Sequence, residues 1–503
     1  MHDLYQELIK LADSEMYPFH MPGHKRNLES TPLKGAFRCD ITEIDDFDNL
    51  HNAEGIILEA EKRAAELFGA EKSFFLVNGS TSGVLSAISA AVSENGTVLA
   101  ARGSHRSFYN AAYLRHLDIE YLPVKMIPEF GIFDGYSGEN VEEALEKSEK
   151  KIEAVFITTP TYEGICSDVK AISEVCHKRG IPLIVDAAHG AHFGLAKDIP
   201  DSAVHQGADI VINSLHKTLP AMTQTAIIHI QGSLVDASRL KRFLSIYQSS
   251  SPSYVLMSSI DLCIKEMRER GDEFAGNLLR YRAMIQDAAS DLKKIAIPGK
   301  EIIQDPAKVL ISTENCYMTG QQLYVILREE YSLQLEMAGE SYALAIITGW
   351  DTEEGIKRLI TALKEIDRGL DKAEMSQELS EHLPDVCLAE DNLLQPGKKK
   401  NQNTEQAELS IPQKALLLHE AWDMEKESVP LCECEGRIAG EFVNLYPPGI
   451  PLIVPGEVIG KRFLESISRY MAKDLNLQGV FQVKNGENKG IIGKRGLICV
   501  KQK

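Results

Sequence analysis

Three short segments of this 503-residue chain combine residue types that can bind an anion, a cation and a carbonyl group. The first is Asn78-Gly79-Ser80-Thr81-Ser82-Gly83, whose glycines allow close backbone approach and whose hydroxyl groups donate hydrogen bonds. The apolar segment Val84–Val92 has helical spacing and would add free N–H groups and the positive end of a helix dipole. This pattern predicts a cup for a phosphate group; a helix capped by Ser or Thr is the simpler alternative.

The second segment follows an apolar strand pattern, where Asp186 is followed by His189 and His192. An unpaired buried carboxylate is costly, so Asp186 should have a cationic partner from the protein or a ligand. A helix-capping aspartate is the alternative. Two histidines in a single turn seldom complete a metal site, and Cys432 and Cys434 are closer together than the usual zinc pairs. We therefore expect no metal.

The third segment places Ser214, His216 and Lys217 directly after the apolar run Ile210–Asn213. Lys217 follows Asp186 by 31 residues, which fits one crossover between parallel strands and would bring both to the same edge of a sheet. A partly desolvated lysine has a lowered pKa and can form a Schiff base with a carbonyl group. A surface lysine after a strand is the commoner alternative.

A phosphate cup, a buried carboxylate and a Schiff-base lysine together are what pyridoxal 5′-phosphate (PLP) requires. Asp186 would keep the pyridine nitrogen protonated, and Lys217 would bind the aldehyde carbon. His105 follows a predicted strand and is placed to stack on the ring, although alone it would be interpreted as an exposed loop histidine. The side chains expected to hold the phosphate are Ser80, Thr81 and Ser214.

The helices and strands that must position these groups are predicted to form an α/β fold. Helix-spaced apolar residues fill segments 56–68 and 169–179, between short apolar runs. Continuous rather than alternating apolar runs indicate a mostly parallel sheet covered on both faces. The predicted strands are Phe74–Val77, Val98–Ala101, Ala154–Thr158, Leu183–Asp186, Ile210–Asn213 and Ala226–Ile230.

The pattern changes after Ser258 to long charged helices and a second, smaller α+β unit. The elements expected there are helices Asp261–Arg270, Phe274–Lys294 and Glu354–Glu365 and strands Val309–Ser312 and Leu344–Thr348. A polar stretch containing Pro396-Gly397 and a lysine triplet then indicates a linker. A third α+β unit follows, with a short β/turn segment at Tyr446–Pro451. The predicted division is 1–260, 261–370, linker 371–413 and 414–503.

Composition limits the kinds of partner. The formal net charge is −19, which would repel nucleic-acid phosphates and anionic lipid. No run of about 18 apolar residues is present, and the N-terminus lacks a secretion-signal pattern. Nine scattered cysteines are typical of reduced thiols, so we expect a cytoplasmic protein without nucleic-acid or membrane binding.

Beyond these segments, the sequence resembles the bacterial ornithine/lysine/arginine decarboxylases, within fold type I of the PLP enzymes. The resemblance spans nearly the whole chain, and so many motifs in the same order make chance agreement very unlikely. The further segments that carry it are Phe19–Lys25, Asp40–Ile44 with Leu50-His51, Phe75–Thr81, Thr223-Gln224, Ser251–Tyr254, Tyr446–Pro451 and Pro455-Gly456-Glu457.

The resemblance implies specific roles for site residues. It implies that Lys217 carries the cofactor, that Asp186 pairs with the pyridinium and that His105 stacks on the ring. It further implies that His189 approaches the ring hydroxyl, and that His216 contacts the phosphate and assists proton transfer. The full set of expected cofactor-binding residues is Gly79, Ser80, Thr81, His105, Asp186, His189, Ser214, His216 and Lys217.

The resemblance also implies a homodimer or higher homo-oligomer with shared active sites, in which Ser249–Ser253 reaches the phosphate of the neighbouring subunit. Relatives usually have Asp-Glu-Ala-His at Asp186–His189 and His-Lys-Ser at His105–Ser107, and neither departure removes an assigned group. The chain starts almost directly at Pro22-Gly23-His24, so it resembles the short forms of the family, without an N-terminal wing domain.

The expected reaction is therefore decarboxylation of a basic L-amino acid to its amine and CO₂. Arginine is favoured slightly, then lysine and ornithine, in polyamine biosynthesis. One alternative is another fold type I reaction, such as transamination or side-chain lyase chemistry. Others are a catalytically silent regulator, against which the intact Lys217, Asp186 and His105 argue, and a metal-dependent hydrolase using His189 and His192. The sequence leaves the choice among the three substrates open.

Overall fold

Strands of the first 230 residues build the sheet that carries the predicted site. The computed structural model describes residues 3–29, 31–123, 125–376, 411–445, 449–473, 475–482 and 495–501. The strands described in this part of the chain are β1 (Lys72–Leu76), β2 (Thr97–Ala100), β3 (Asp118–Tyr121), β4 (Met126–Ile127), β5 (Ile132–Phe133), β6 (Ile152–Thr158), β7 (Leu183–Asp186), β8 (Ile210–Asn213) and β9 (Ala226–Ile230).

Seven of these strands form one sheet in the order β1-β9-β8-β7-β6-β2-β3. The five strands from β8 to β3 are parallel, and β9 runs antiparallel to both of its neighbours. Strands β2, β7, β8 and β9 are buried along their whole length, which explains their continuous apolar runs. This confirms the predicted α/β fold with a mostly parallel sheet.

Helices cover both faces of this sheet. Buried apolar residues of α4, α5 and α9 pack on one face, and those of α6 and α7 pack on the other. The helices up to residue 289 are α1 (Leu4–Asp13), α2 (Lys34–Cys39), α3 (Ile56–Phe68), α4 (Gly79–Ala91), α5 (Arg106–Leu114), α6 (Gly138–Lys147), α7 (Val169–His177), α8 (Leu215–Thr218), α9 (Ala237–Tyr247) and α10 (Tyr254–Ala289).

The predicted break between helices 261–270 and 274–294 corresponds to a kink within α10, which begins earlier than predicted, at Tyr254, and ends earlier, at Ala289. Arg270 has non-helical angles (φ −131°, ψ 17°) directly before Gly271, a residue that bends helices readily. The helix ends at Ala289 because the backbone N–H groups of 293–295 donate to the carboxylate of Asp367. That long-range bond has no signal in the local pattern.

The smaller units follow α10. Strand order in the second unit is β10-β12-β11, all antiparallel. Its elements are β10 (Lys308–Ser312), α11 (Gly320–Glu329), β11 (Met337–Ala338), β12 (Tyr342–Ile346) and α12 (Glu353–Ser376). Helix α12 therefore extends into the range predicted as a linker, whose residues 377–410 lie outside the described part of the chain.

The last unit contains two small sheets, ordered β13-β18-β17 and β15-β14-β16. Its elements are α13 (Leu418–Asp423), β13 (Lys426–Pro430), β14 (Val443–Leu445), β15 (Ile450–Ile453), α14 (Lys461–Ala472), β16 (Leu477–Gln478), β17 (Phe481–Gln482) and β18 (Arg495–Val500). Within the predicted turn segment Tyr446–Pro451, residues 446–448 lie outside the described residues. None of the helices among the described residues is both long and apolar enough to cross a membrane.

Candidate active site

The predicted site residues converge at one edge of the large sheet. Strand β7 ends at Asp186, and β8 ends at Asn213, just before the short helix α8 that carries Lys217. Asp186 pairs with Ile212 across these parallel strands, so their carboxyl ends lie side by side. Because β9 is antiparallel, its first residue, Ala226, also lies at this edge. Open α/β sheets bind ligands at this edge.

Lys217 is half-buried and lies in α8 at this edge of the sheet. Its Nζ lies 3.1 Å from Nε2 of His189, which follows β7. Burial lowers the pKa of Lys217, and the carboxylates of Asp186 and Glu336 oppose that shift. A lysine with a lowered pKa keeps a larger share of neutral amine, which is the form that attacks a carbonyl carbon.

Asp186 is buried, and Ala188 N donates to its Oδ1 over 3.1 Å. Burial raises its pKa, while the charge of Lys217 and the Ala188 hydrogen bond partly offset that effect. No ion pair to Asp186 exists among the residues that the structure describes. A cationic N–H from a ligand, such as a protonated pyridine ring, would supply the partner that this carboxyl group requires.

The cup segment forms the first turn of α4, which begins at Gly79 and not at the predicted Val84. Gly79 has φ +72°, a conformation that favours glycine, and its N–H donates to the carbonyl of Gln224 over 3.0 Å. Ser80 is half-buried, whereas Thr81 is exposed. Free N–H groups of a first helical turn, together with these hydroxyls, fit a phosphate.

Gln224 connects the cup to the lysine segment. Besides accepting from Gly79, it donates from its side-chain Nε2 to the carbonyl of Val77 over 2.7 Å. The loop that follows α8 is thereby fixed against the start of α4. Ser214 Oγ is buried and has no hydrogen-bond partner among the described residues, so its donor is available to an acceptor beside Lys217.

His105 is solvent-exposed and is the N-cap residue of α5. Its Nδ1 accepts from the backbone N–H of Ser107 over 3.2 Å, so the neutral ring carries its hydrogen on Nε2. Surrounding protein lowers its pKa to about 4, and the charges of Lys217 and Arg106 act in the same direction. A neutral imidazole ring is suited to stacking on an aromatic cofactor.

His216 has the opposite tautomer. Its Nδ1 donates to the carbonyl oxygen of Thr225 over 2.8 Å, which leaves Nε2 of the neutral ring without a hydrogen. Burial and the charge of Lys217 lower its pKa, while the Thr225 hydrogen bond opposes the shift. The ring can therefore accept a hydrogen bond next to Lys217.

Residues 2–336 match the family model for the major domain of the Orn/Lys/Arg decarboxylases, and residues 399–481 match the model for their C-terminal domain. This chain belongs to that family. The decarboxylase is 30% identical over 489 residues to the arginine decarboxylase of Bacillus subtilis, covering 95% of each protein. It is also 30% identical to the arginine decarboxylase of Halalkalibacterium halodurans, covering 95% of this chain and 94% of that relative.

Solved structures support the fold. The Francisella novicida lysine decarboxylase LdcF matches with a TM-score of 0.78 and 18% identity, over 99% of this chain and 81% of that one. Lysine decarboxylase A from Pseudomonas aeruginosa matches with a TM-score of 0.78 and 21% identity, over all of this chain and 80% of that one. The decarboxylase therefore has the fold type I architecture and uses PLP, in agreement with the buried carboxyl group of Asp186 and the cup at Gly79.

Two contacts of the decarboxylase bear on earlier expectations about other residues. His192 Nε2 donates to Oδ1 of Asp305 over 2.9 Å, while His189 contacts lysines, so the two histidines face different partners. Ser249 N donates to Oδ1 of Asn78 over 3.3 Å. The Ser249–Ser253 stretch thus borders the cup of its own chain, and its reach into a neighbouring subunit stays a prediction.

Sequence reasoning missed several groups that surround His189. Lys308 Nζ lies 2.6 Å from His189 Nδ1, and the Tyr162 ring packs edge-on against the imidazole with centroids 4.5 Å apart. The Tyr162 hydroxyl donates to the carboxylate of Glu336. Lys308 lies 91 residues beyond Lys217 in the smaller unit, and no local pattern marks it. Its position directly before the predicted strand Val309–Ser312 did not distinguish it from an exposed lysine.

Proposed function

We propose that this enzyme decarboxylates a basic L-amino acid to its amine and CO₂, with arginine favoured over lysine and then ornithine. The observation that carries the proposal is the approach of Lys217 and Asp186 at the sheet edge of a protein in this decarboxylase family. Four relatives named arginine decarboxylase are 28–30% identical over at least 90% of this chain. Relatives named lysine decarboxylase are 23–24% identical and one named biodegradative arginine decarboxylase is 22% identical, so the preference for arginine rests on the four more similar relatives.

Each proposed catalytic group has a task that its surroundings favour. PLP, when bound, supplies a carbonyl group for the amine and a ring that accepts the electron pair left by departing CO₂. Lys217 would hold the cofactor through its amine and would return a proton to the substrate carbon. Asp186 would provide the negative charge for the ring nitrogen. His105 would stack on the ring, and His216 would accept a hydrogen bond near the phosphate.

A cationic substrate is supported by the charges at the site. The Glu336 carboxylate acts electrostatically on both Lys217 and Lys308, so it lies within electrostatic range of the site. Tyr162 donates a hydrogen bond to this carboxylate, and the Glu336 side chain is exposed. An exposed carboxylate in this range of the site can pair with the distal guanidinium or ammonium group of the substrate.

The proposal includes a cytoplasmic homodimer that serves polyamine biosynthesis. Exposed apolar side chains cluster in one N-terminal segment, where Phe19 is 90% exposed, which is unusual for a surface without a partner. The others in this segment are Met16, Tyr17, Met21 and Leu33. A second copy of the chain would cover this apolar surface.

CO₂ release from the purified enzyme with PLP tests the proposal, using L-arginine, L-lysine and L-ornithine separately. Release from arginine above the other two, without any keto acid, is the expected result. Release that depends on a keto acid would indicate transamination. No release from any of the three, in protein that carries PLP on Lys217, would overturn the proposed reaction for these substrates.

A further inference from the structure

Lys308, the first residue of β10, is fully buried between the large sheet and the smaller unit. Lysine is almost never fully buried unless its ammonium group has a partner. Its Nζ lies 2.6 Å from Nδ1 of His189 and 5.7 Å from the centroid of the Tyr162 ring. Lys308 of the smaller unit thus contacts His189 at the candidate active site of the large sheet.

The backbone around Lys308 is built for this approach. Asp305 N donates to Gly164 O over 3.1 Å, and Arg282 Nη1 donates to the carbonyl of Lys308 over 3.0 Å. Gly164 has φ +101°, and a Cβ there would lie 2.7 Å from Cγ of Lys308. A side chain at position 164 would clash with Lys308, so Gly164 leaves the space through which Lys308 reaches His189.

Nearby carboxyl groups keep Lys308 charged at neutral pH. Burial lowers its pKa to about 8, and Asp305, Glu336 and Glu163 oppose that shift. Although burial favours its neutral form, Asp305 has a lowered pKa because His192 and Lys308 stabilise its charge. Below pH 8 Lys308 is therefore an ammonium group, which has donors and no acceptor.

We infer that Lys308 is a positioning residue that fixes His189 in the tautomer with its hydrogen on Nε2. An ammonium group facing Nδ1 leaves that nitrogen only the role of acceptor, so the hydrogen of the neutral ring must be on Nε2. Nε2 faces Lys217 Nζ at 3.1 Å, so a hydrogen on Nε2 requires Lys217 in its neutral amine form, which the lowered pKa of Lys217 favours. Tyr162 packs edge-on against the ring and holds its plane.

This tautomer decides which group the His189 imidazole presents to the cofactor. His189 presents an N–H donor to the electron-rich group beside Lys217, for which the ring hydroxyl oxygen of PLP is the candidate. Burial and the charges of Lys308 and Lys217 lower the pKa of His189, so the ring stays neutral. Lys308 thereby tunes the basicity of the group bound at Lys217 without touching it. This inference rests on the proposed placement of the cofactor.

Nitrogen-15 NMR of histidine-labelled, PLP-loaded wild-type protein, in which the Lys217 amine is bound to the cofactor, tests the tautomer directly, with the His189 signal assigned by its loss in His189→Gln. The expected result is a hydrogen on Nε2. A hydrogen on Nδ1 would overturn the inference. This measurement requires no Lys308 variant to fold.

The PLP-loaded protein provides the second test, by pH titration of the visible absorption band of the bound cofactor. We expect Lys308→Met to raise the midpoint by about one pH unit, because an anionic oxygen that loses a donor binds a proton more tightly. Tyr342→Phe is the matched control. Tyr342 is buried in the same unit and donates to Glu163 instead of His189, so its midpoint should stay at the wild-type value.

A double-mutant cycle separates the action through His189 from a direct effect of the lost charge. In a His189→Gln background, Lys308→Met should shift the midpoint by less than a third of its effect in the wild type. An equal shift in both backgrounds would overturn the inference. Failure of the CO₂ assay alongside a normal cycle would reject the proposed reaction alone, so the two failures are distinguishable.

Discussion

Arg102 and Glu457 form a buried ion pair that joins the C-terminal unit to the loop carrying His105. Arg102 Nη2 donates to Glu457 Oε2 over 3.0 Å, and both side chains are less than 8% exposed. Glu457 Oε2 also accepts from Val454 N over 2.8 Å, while Arg102 Nη1 donates to the Tyr109 hydroxyl over 2.8 Å. The C-terminal unit thus holds the backbone three residues before the histidine expected to stack on the cofactor.

Removing one partner of this pair should be costly. Glu457→Gln leaves the Arg102 cation buried without its counter-charge, and we expect the free energy of unfolding to fall by about 3–5 kcal/mol. The double variant Arg102→Met/Glu457→Met should lose less than the sum of the losses of Arg102→Met alone and Glu457→Met alone. Thermal unfolding of these four variants measures the losses. Additive losses would show that the two side chains do not interact.

Lys217→Ala should abolish turnover. The variant has no amine to bind the cofactor covalently, so the visible band of lysine-bound PLP should be missing and CO₂ release should fall below detection. The exposed Lys178→Ala is the control and should match the wild type. Normal CO₂ release by Lys217→Ala would mean that another residue holds the cofactor.

Asp186→Asn should weaken cofactor binding while preserving the shape of the side chain. The amide cannot supply the negative charge that a protonated ring nitrogen requires, so we expect the Kd for PLP to rise about 10- to 100-fold. Equilibrium dialysis of the cofactor measures it, with the exposed Asp198→Asn as control. An unchanged Kd would indicate that Asp186 does not pair with the ring.

The sequence predicted those parts of the fold whose signals are local. The bounds of strands 183–186, 210–213 and 226–230 agree with the structure, because each is a buried apolar run that ends at a polar or turn residue. The direction of β9 was not predictable in this way, since a fully buried strand has the same pattern in either direction. The predicted site residues Asp186 and Lys217 do converge, because parallel strands bring their carboxyl ends together.

The parts of the fold and of the site that the sequence did not predict depend on contacts between distant segments. Lys308 reaches His189 across 119 residues, and Glu457 reaches Arg102 across 355. No periodicity encodes such pairs, and a single lysine or glutamate in a sequence is most often exposed. The hydrogen bonds from the backbone N–H groups of 293–295 to the Asp367 carboxylate are further long-range contacts of this kind. Tertiary structure alone identifies these residues.

Glu336→Gln tests how the enzyme recognises the distal end of its substrate. The amide retains the hydrogen bond from Tyr162 but loses the charge that would pair with a guanidinium group. We expect the KM for L-arginine to rise about 10- to 100-fold with a smaller change in kcat. Steady-state CO₂ release measures both constants.

The matched control for Glu336 is Glu340→Gln. Glu340 is four residues away, and its carboxylate pairs with Lys473 at 2.6 Å and Arg469 at 3.2 Å. Its KM should stay at the wild-type value. If Glu336→Gln also leaves the KM for arginine unchanged, the distal group is recognised elsewhere.

Glu61 should make the stability of the enzyme depend on pH. This buried glutamate of α3 accepts from Phe75 N over 3.0 Å. Burial raises its pKa to about 8 from an ordinary value of 4.5, although the Phe75 hydrogen bond and the charge of Lys241 oppose the shift. The folded state therefore holds a proton that the unfolded state releases, so the stabilisation is complete below pH 4.5 and is lost as the pH rises to 8.

We accordingly expect the wild-type Tm to fall between pH 5 and pH 8, and Glu61→Gln to reduce that fall. The amide oxygen can still accept from Phe75 and carries no charge at any pH, so the variant should be the more stable protein at pH 8. Glu59→Gln, an exposed position on the same helix, provides the control. Differential scanning calorimetry across this range decides the matter: parallel Tm curves for Glu61→Gln and the wild type would mean that Glu61 titrates equally in both states.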